Sequence, residues 1–440
     1  MKSIKVGILG LGTVGGGTAN VLQRNADEIV RRAGREIDVC IASVQDLSKE
    51  RICDCSRLIL TEDPYAVVRH QDVDIVAELI GGETLAKQLV LEAIRQGKHV
   101  VTANKALIAL HGNEIFAAAE KKGVSVLFEA AVAGGISIIK SIREGLAGNR
   151  IELVAGIING TGNFILTEMR DKGRSFDDAL AEAQALGYAE ADPTFDVQGI
   201  DAAHKLTILA SIAFGTPLQF DKVYTEGISA LSLDDIRYAE ELGYRIKHLG
   251  IAKAIDGSLE LRVHPTLIPE RRLIANVDGV MNAVLVRGDA VGNTLHYGAG
   301  AGAEPTASAV VADIVDIART ISENAANRVA HLAFQPGSII EKQIKPADQF
   351  YSAYYLRVMV NDVPGVMSQL STVFADLDIS IEALTQKEPA RGETRVSVIF
   401  ITQRTVEAQI NKAISQIESM SDVYDAVTRI RVEHLNYQNQ

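Results

Sequence analysis

The sequence predicts an α/β protein in three parts: an N-terminal doubly wound parallel sheet, a central α+β region and a small C-terminal βαββαβ module. Three features point there. Over roughly the first 130 residues, short apolar runs alternate with stretches of helical apolar spacing, which implies parallel strands with helices on both faces. Beyond residue 134 the alternation gives way to helices mixed with longer β-rich runs at 259–268 and 280–286. After a polar, proline-bearing stretch at 336–350, the order strand, helix, strand, strand, helix, strand fills the remaining chain in the ferredoxin-like sequence.

In order, the expected strands of the first part are Ile4–Leu9, 37–42, 74–79, His99–Thr102 and 125–129, with helices at 15–30, 85–96 and 112–122. A long apolar helix over 305–329 is expected to pack back on this sheet. The expected units are therefore 1–133 together with that helix, 134–304 for substrate binding and dimerisation, a linker at 336–350, and a terminal module at 351–432. The module has expected strands at 354–360, 379–388, 394–402 and Val423–Val432 and helices at 364–377 and 406–418, enough chain to fold alone.

With 44 Lys+Arg against 56 Asp+Glu, the net charge of −12 provides no electrostatic footprint for nucleic acid or an anionic membrane. No apolar run reaches the roughly 18 residues of a membrane span, and the start reads as a strand rather than a signal peptide. Three cysteines cannot build a disulfide framework, and Cys53-Asp54-Cys55 reads as plain thiols, so a cytoplasmic location is expected.

Gly10-Leu11-Gly12-Thr13-Val14-Gly15 fits G-x-G-x-x-G between a strand and a helix, the Rossmann-type setting in which a helix N-terminus receives a dinucleotide pyrophosphate. The second strand ends in Ala42-Ser43-Val44-Gln45, with Asp46 late and Lys49 and Arg51 beyond; the missing carboxylate leans slightly toward NADP or toward use of both cofactors.

The richest chemistry lies between Gly187 and Lys205. Glu190, Asp192, Asp196 and Asp201 surround a helix break and the start of an otherwise apolar helix, on which Asp201 and Lys205 are i and i+4. The pair is either a solvated ion pair or a buried lysine held by a carboxylate and able to donate a proton to a carbonyl oxygen. Lys105, after Thr102-Ala103-Asn104, stands at the carboxyl edge of the first sheet, where ligands sit in open α/β folds. Glu129, before Ala130–Gly135, either helps hold a hard cation with loop carbonyls or caps the next helix.

These stretches, with Glu78–Gly82, Asn159–Asn163 and Gly300–Ala309, resemble the homoserine dehydrogenases that carry a C-terminal ACT regulatory domain, over essentially the whole chain. The resemblance implies NAD(P)-dependent, reversible hydride transfer between L-aspartate 4-semialdehyde and L-homoserine, a step toward threonine, methionine and isoleucine. It implies Lys205 as proton donor, Glu190 and Asp201 as holders of the amino-acid portion with Asp196 in support, and Lys105 near nicotinamide and substrate. Gly10, Leu11, Gly12, Thr13, Val14, Gly15, Thr102, Lys105, Gly187 and Gly302 would contact the cofactor. Glu129 and the main-chain oxygens of Val132, Gly134 and Ile136 resemble the family's monovalent-cation site, for sodium. The turn Asn361–Val366 is similar to that of ACT domains, with threonine as the implied effector and a homodimer or homotetramer as the implied assembly. No kinase segment is expected before Ile4. Two positions depart from the family pattern: Gly162, where members often have threonine, and Gln45, where many carry arginine. Rival readings are an oxidoreductase of the same build for another amino-acid aldehyde or imine, and a silent amino-acid sensor; the Glu190–Asp201–Lys205 spacing and the intact glycine turn speak against them.

Overall fold

The computed structural model describes residues 3–322, 329–387 and 394–435. Strands β1 (Ile4–Leu9), β2 (Ile37–Ser43), β3 (Ile59–Thr61), β4 (Ile75–Glu78), β5 (His99–Thr102) and β6 (Val126–Leu127) form a parallel sheet in the order β3-β2-β1-β4-β5-β6. The order reverses at β1 and β4, and the crevice beyond their carboxyl ends is where this topology receives ligands. Every residue of β1 except Lys5 is buried, as expected of a strand covered on both faces. The cover is α1 (Thr13–Arg24), α2 (Ala26–Ala33), α3 (Pro64–Arg69), α4 (Thr84–Arg95) and α5 (Lys105–Lys122).

Several boundaries differ from expectation. The helix expected over 15–30 is broken at Asn25, whose backbone leaves helical geometry (φ −104°, ψ 20°) and joins α1 to α2. Asparagine competes for its own backbone and favours such ends over helix interiors. The helix expected over 112–122 starts seven residues earlier, because the Asn104 side chain accepts from the Leu107 N–H and caps it. Of the strand expected at 125–129 only Val126–Leu127 pairs, since Glu129–Ala131 turn into a 3₁₀ turn. Neither β3 nor α3 was anticipated, as three and six residues are too short to display a period.

The second sheet contains β7 (Ile151–Ile157), β8 (Tyr224–Thr225), β9 (Tyr244–Ile255), β10 (Ser258–Pro269), β11 (Met281–Gly288), β12 (Gly292–Ala299), β13 (Tyr351–Asn361), β14 (Ile381–Gln386), β15 (Arg395–Thr402), β16 (Thr405–Val406) and β17 (Val423–Val432). Its main path is β12-β11-β7-β9-β10-β17-β13-β15-β14. The remaining helices are α6 (Ile138–Lys140), α7 (Gly160–Lys172), α8 (Phe176–Ala185), α9 (Thr194–Val197), α10 (Ile200–Phe214), α11 (Leu233–Glu241), α12 (Ala303–Thr320), α13 (Val366–Asp376) and α14 (Glu407–Glu418), of which α12 returns to the first sheet. The hairpin β9–β10 closes through Asp256-Gly257, both at positive φ (51° and 80°), as a two-residue turn matching strand twist demands.

Helix α12 does pack back on the first sheet: a Cβ added to Gly17 of α1 would lie 2.7 Å from the Ala303 carbonyl oxygen. It ends at Thr320 rather than 329, and residues 323–328 of that expectation lie outside the described ones. Position 388 of the strand expected at 379–388 also lies outside them.

The C-terminal module has the expected βαββαβ order but is built into the central sheet rather than standing apart. Strand β17 pairs in parallel with β10 at Thr266↔Arg431 and Leu267↔Val432. Buried charges cross the same seam. Arg431, with no exposed surface, donates to Glu407 (2.8 Å), Glu226 (2.9 Å) and the Tyr224 hydroxyl (3.1 Å), and Arg262 donates to Glu433 (2.5 Å). The expected linker is likewise fastened: the Ile340 N–H reaches the Gly215 carbonyl (2.9 Å), and Ile344 bridges Leu259.

Replacing Arg431 by Ala leaves the buried Glu407 carboxylate without its main counter-charge, a change of about 3–5 kcal/mol. Amide protection along β13 and β17 is expected to fall by about 10²- to several times 10³-fold in native-state hydrogen exchange. Unchanged protection would show the ion pair to be dispensable.

Candidate active site

At the end of β1, Gly10 takes φ +90° and the chain turns into α1 with Gly12 as N-cap. A Cβ at Gly15 would stand 1.9 Å from the Gly10 carbonyl oxygen, so this glycine permits the close approach of helix and strand. A Cβ at Gly12 would meet nothing within 4 Å, no side chain caps α1, and its first turn has no acidic residue. An uncapped helix N-terminus facing open space, with N–H groups lacking intrahelical partners, fits a pyrophosphate. Leu11 is buried in the core, so only its main chain is available there; Thr13 is exposed and Val14 half-buried. Gly302 (φ +124°) is the N-cap of α12, and its neighbour Ala303 lies against Gly17 of α1.

The Glu78 carboxylate, fully buried at the end of β4, organises the next loop. It accepts from the Ile80 and Gly81 N–H groups (3.1 and 3.2 Å) and from the Thr102 hydroxyl (2.6 Å); burial pushes its pKa up. The Thr102 side chain therefore faces inward as a support, its hydroxyl also accepting from the Asn104 N–H (3.0 Å). Asn104 donates to the Gly82 carbonyl (2.6 Å), and this lattice sets Lys105 as the first residue of α5. Beyond β2, Asp46 Oδ1 is taken by its own turn, accepting from the Ser48 N–H (2.8 Å) and hydroxyl (2.6 Å).

Lys105 and Lys205, from helices on different sheets, converge on one carboxylate. Lys105 Nζ lies 3.0 Å from Asp201 Oδ1, and Lys205 Nζ lies 2.7 Å from Oδ2. Asp201 is 3% exposed, which decides for the buried pair over the solvated one. Lys205 also donates to the Ile158 carbonyl (2.7 Å). Asn159 joins the cluster: its amide donates to Asp196 Oδ1 (2.7 Å) and Asp201 Oδ2 (2.9 Å), while its oxygen accepts from Gly162 N–H (2.7 Å) at the start of α7. Burial alone would raise the Asp201 pKa, yet the two ammoniums hold it well below the carboxylate range. For Lys205, burial outweighs Asp201 and lowers the pKa. For Lys105, burial also acts downward but is outweighed by Asp201, then Asp196 and Glu190, so its pKa rises. Burial raises that of Asp196.

Glu190 and Asp192 are exposed on the loop before α9; Glu190 acts on Lys105 through its field. Gly187 (φ +75°) ends the turn after α8, its N–H donating to the Gln184 carbonyl (3.0 Å). The structure thus unites Lys105, Asp196, Asp201 and Lys205, and separately Gly10–Gly15 with Gly302. Sequence reasoning missed Asn159 and Glu78 as site residues, although both stand in motifs it had singled out.

Glu129 turns out to be a helix cap. Its oxygens accept from the Ile139 (2.9 Å) and Lys140 (2.8 Å) N–H groups of α6, and its own N–H donates to Asp313 Oδ2 (2.8 Å). Val132 and Ile136 are buried, and Gly134 (φ +30°) passes close to the Gly300 carbonyl, where a Cβ would lie 2.7 Å away. Among the described residues no group of three or more His, Cys, Asp or Glu is arranged to hold a metal. Cys53 and Cys55 are free thiols, their sulfurs 3.8 Å apart. No helix of the described residues is long and apolar enough to cross a membrane.

Comparison with known proteins places these features in one family. The family model "Homoserine dehydrogenase, NAD binding domain" matches residues 10–129, "Homoserine dehydrogenase" matches 138–315 and "ACT domain" matches 354–419. The chain is 62% identical to a homoserine dehydrogenase of Pseudomonas aeruginosa, over 99% of this chain and 100% of that one. It is 57% identical to that of Neisseria gonorrhoeae, with the same coverage. A crystal structure of a homoserine dehydrogenase from Thiobacillus denitrificans superposes with a TM-score of 0.94 at 61% identity, covering 99% of both chains. A hyperthermophilic archaeal homoserine dehydrogenase in complex with NADPH superposes with a TM-score of 0.62 at 25% identity, covering 74% of this chain and 100% of the other.

Two glycine substitutions separate fold from cradle. Gly15→Ala forces its Cβ onto the Gly10 carbonyl and is expected to lower the melting temperature by several degrees. Gly12→Ala is expected to melt like the parent while weakening dinucleotide binding about tenfold or more, because its Cβ enters the space in front of the helix. Equal affinity in Gly12→Ala and parent would remove the cradle from this turn.

Proposed function

The chain belongs to the homoserine dehydrogenase family, NAD(P)-dependent oxidoreductases acting on a CH–OH group, and on that premise we propose that it interconverts L-aspartate 4-semialdehyde and L-homoserine at the Asp201 cluster. The observation that carries this reading is one buried carboxylate held between two lysines of different sheets. It lies in the same molecule as a glycine turn open to a dinucleotide. Bound nicotinamide supplies the hydride, or accepts it, at the reacting carbon.

The chain's own residues handle the proton and the substrate's charges. Lys205 gives its proton to the carbonyl oxygen during reduction and takes it back during oxidation. Burial makes that ammonium a readier acid than a surface lysine, while Asp201 keeps it protonated enough to donate. Lys105 remains charged and stabilises negative charge developing on the same oxygen. Glu190 and Asp201 hold the amino-acid portion of the substrate, with Asp196 in support, since carboxylates are the natural partners of its ammonium. The end of β2 brings no carboxylate before Asp46, whose Oδ1 is taken by its own turn, which supports use of NADP or of both cofactors.

The rest of the reading follows the same division of labour. Residues 1–133 with α12 bind cofactor, 134–304 bind substrate and build the dimer or tetramer, and 351–432 regulate. The Glu129 side chain is committed to α6, so a sodium ion would be held by main-chain oxygens of Glu129, Val132, Gly134 and Ile136. Threonine is the proposed inhibitor, which suits a product of the pathway leading to threonine, methionine and isoleucine.

Homoserine-dependent reduction of NADP and NAD by purified protein tests the activity, and Lys205→Ala should lower the rate by about 10²–10⁴-fold. A parent protein that reduces neither cofactor, with or without sodium, would refute the assignment. Asp201→Asn removes the charge that opposes deprotonation of Lys205. The rise of residual homoserine oxidation with pH is then expected about one pH unit or more lower than in the parent, and the fall of the reductive rate moves with it. A profile that stays in place would take Lys205 out of the proton path.

A further inference from the structure

The seam between the C-terminal module and the central sheet holds a cavity of about 530 Å³, distinct from the Asp201 cluster and from the turn at 361–366. Both sides build it: Glu226, Ala230 and Leu231 from the central region, and Asn411, Thr428 and Arg429 from α14 and β17. Leu231, Val427 and Ile430 are buried and give it an apolar floor.

Its charges are unevenly satisfied. The Tyr224 hydroxyl (2.7 Å), Arg431 (2.9 Å) and Arg429 (3.6 Å) all approach Glu226 at Oε2, so Oε1 remains an acceptor on a half-buried carboxylate. Arg429 bonds Asn411 Oδ1 (2.5 Å) and lies 3.2 Å from Glu407, but its 3.6 Å approach to Glu226 is too long for a hydrogen bond. A molecule carrying an ammonium and a carboxylate on one carbon matches this pair, ammonium to Glu226 and carboxylate to Arg429. The Thr428 hydroxyl accepts from Arg357 (2.9 Å) and keeps its own proton to donate, and the Asn411 amide N–H groups can donate likewise, to a short polar side chain. A zwitterion leaves the balance of two carboxylates and two guanidiniums unchanged, whereas a simple anion or cation would upset it.

The wall of the cavity is also fastened to the catalytic turn. The Glu226 carbonyl lies 2.9 Å from His248 Nε2, and the Ile228 N–H donates to the Val197 carbonyl (2.9 Å). Gly227 has no room for a Cβ, which would fall 2.6 Å from Gln198 Oε1 and 2.7 Å from the Val197 carbonyl. His248 in turn packs on Gly199, where a Cβ would be 3.1 Å from its ring. Val197–Gly199 is the chain between Asp196 and Asp201, so movement at 226–228 acts on the spacing of two carboxylates of the site.

We propose that this seam is a binding site for a small zwitterionic α-amino acid, and that its occupancy is passed to the Asp196–Asp201 turn through residues 226–228. The proposal rests on the regulatory reading above only for the choice of threonine as first probe, and it moves the effector from the strand–helix turn to the seam.

Calorimetric titration of the full-length protein with L-threonine, L-isoleucine and L-methionine tests it, alongside inhibition measured against each variant's own uninhibited rate. Ala230→Leu fills the cavity from an exposed position, and Thr428→Val removes one hydroxyl, and with it an acceptor for Arg357, which keeps Asp235 (2.7 Å). Both are expected to weaken binding, the first by about tenfold or more. Asn361→Ala, at the strand–helix turn, is expected to bind like the parent. Parental affinity in both seam variants, or binding lost only in Asn361→Ala, overturns the location while leaving regulation standing. A parent that binds none of the three and is inhibited by none overturns the regulatory reading itself.

Discussion

The carboxylate of Asp201 is the point on which the two halves of the molecule close. It receives Lys205 from its own helix and Lys105 from the other sheet, with Asn159 completing its shell. A carboxylate so deeply buried is costly in isolation and tolerable only when paired and hydrogen-bonded on both oxygens. The need to satisfy it therefore fixes how α5 stands against α10, and with that how the glycine turn of the first sheet stands against the acidic loop of the second. The lattice of Glu78, Thr102 and Asn104 serves the same end from the other side, since it sets the start of α5.

One carboxylate gives its two lysines opposite acidities. The Lys205 side chain is 13% exposed and the Lys105 side chain 36%. Lys105 also faces Asp196 and Glu190, whose fields sustain its charge. Lys205 is walled by an apolar helix, so desolvation prevails there. Environment, rather than residue type, thus distinguishes a group suited to exchange a proton from one suited to remain a cation. Asn159, bonded to both Asp196 (2.7 Å) and Asp201 (2.9 Å), ties the Asp196 loop to the Asp201 helix.

What the sequence disclosed follows the range of the forces involved. The glycine turn was legible because each glycine answers a local demand, as did Asp201 and Lys205 through their i,i+4 spacing. Asn159 was hidden: its partners lie 37 and 42 residues away, and nothing local distinguishes a bridging asparagine from a helix cap, which it also is. Glu129 was read with two alternatives, and the geometry of α6 shows its side chain capping that helix. The union of the two β systems left no trace, since a parallel contact of two residue pairs has no period and the fastened linker reads as polar.

That brief contact explains why the seam is charged. Two ladder pairs between β10 and β17 are too few to fix register by pattern, and a slip of one residue would turn the side chains of β17 to the other face. An apolar seam would tolerate such a slip; buried guanidiniums do not. Arg431 must meet Glu407 and Glu226 together, and Arg262 must meet Glu433, or charges are left without partners in a dry interior. Glu407 and Glu433 belong to the module, whereas Glu226 and Arg262 belong to the central region. The same ions that set the register therefore make the module's placement felt at Glu226, one residue from the contacts of Gly227 with the catalytic turn.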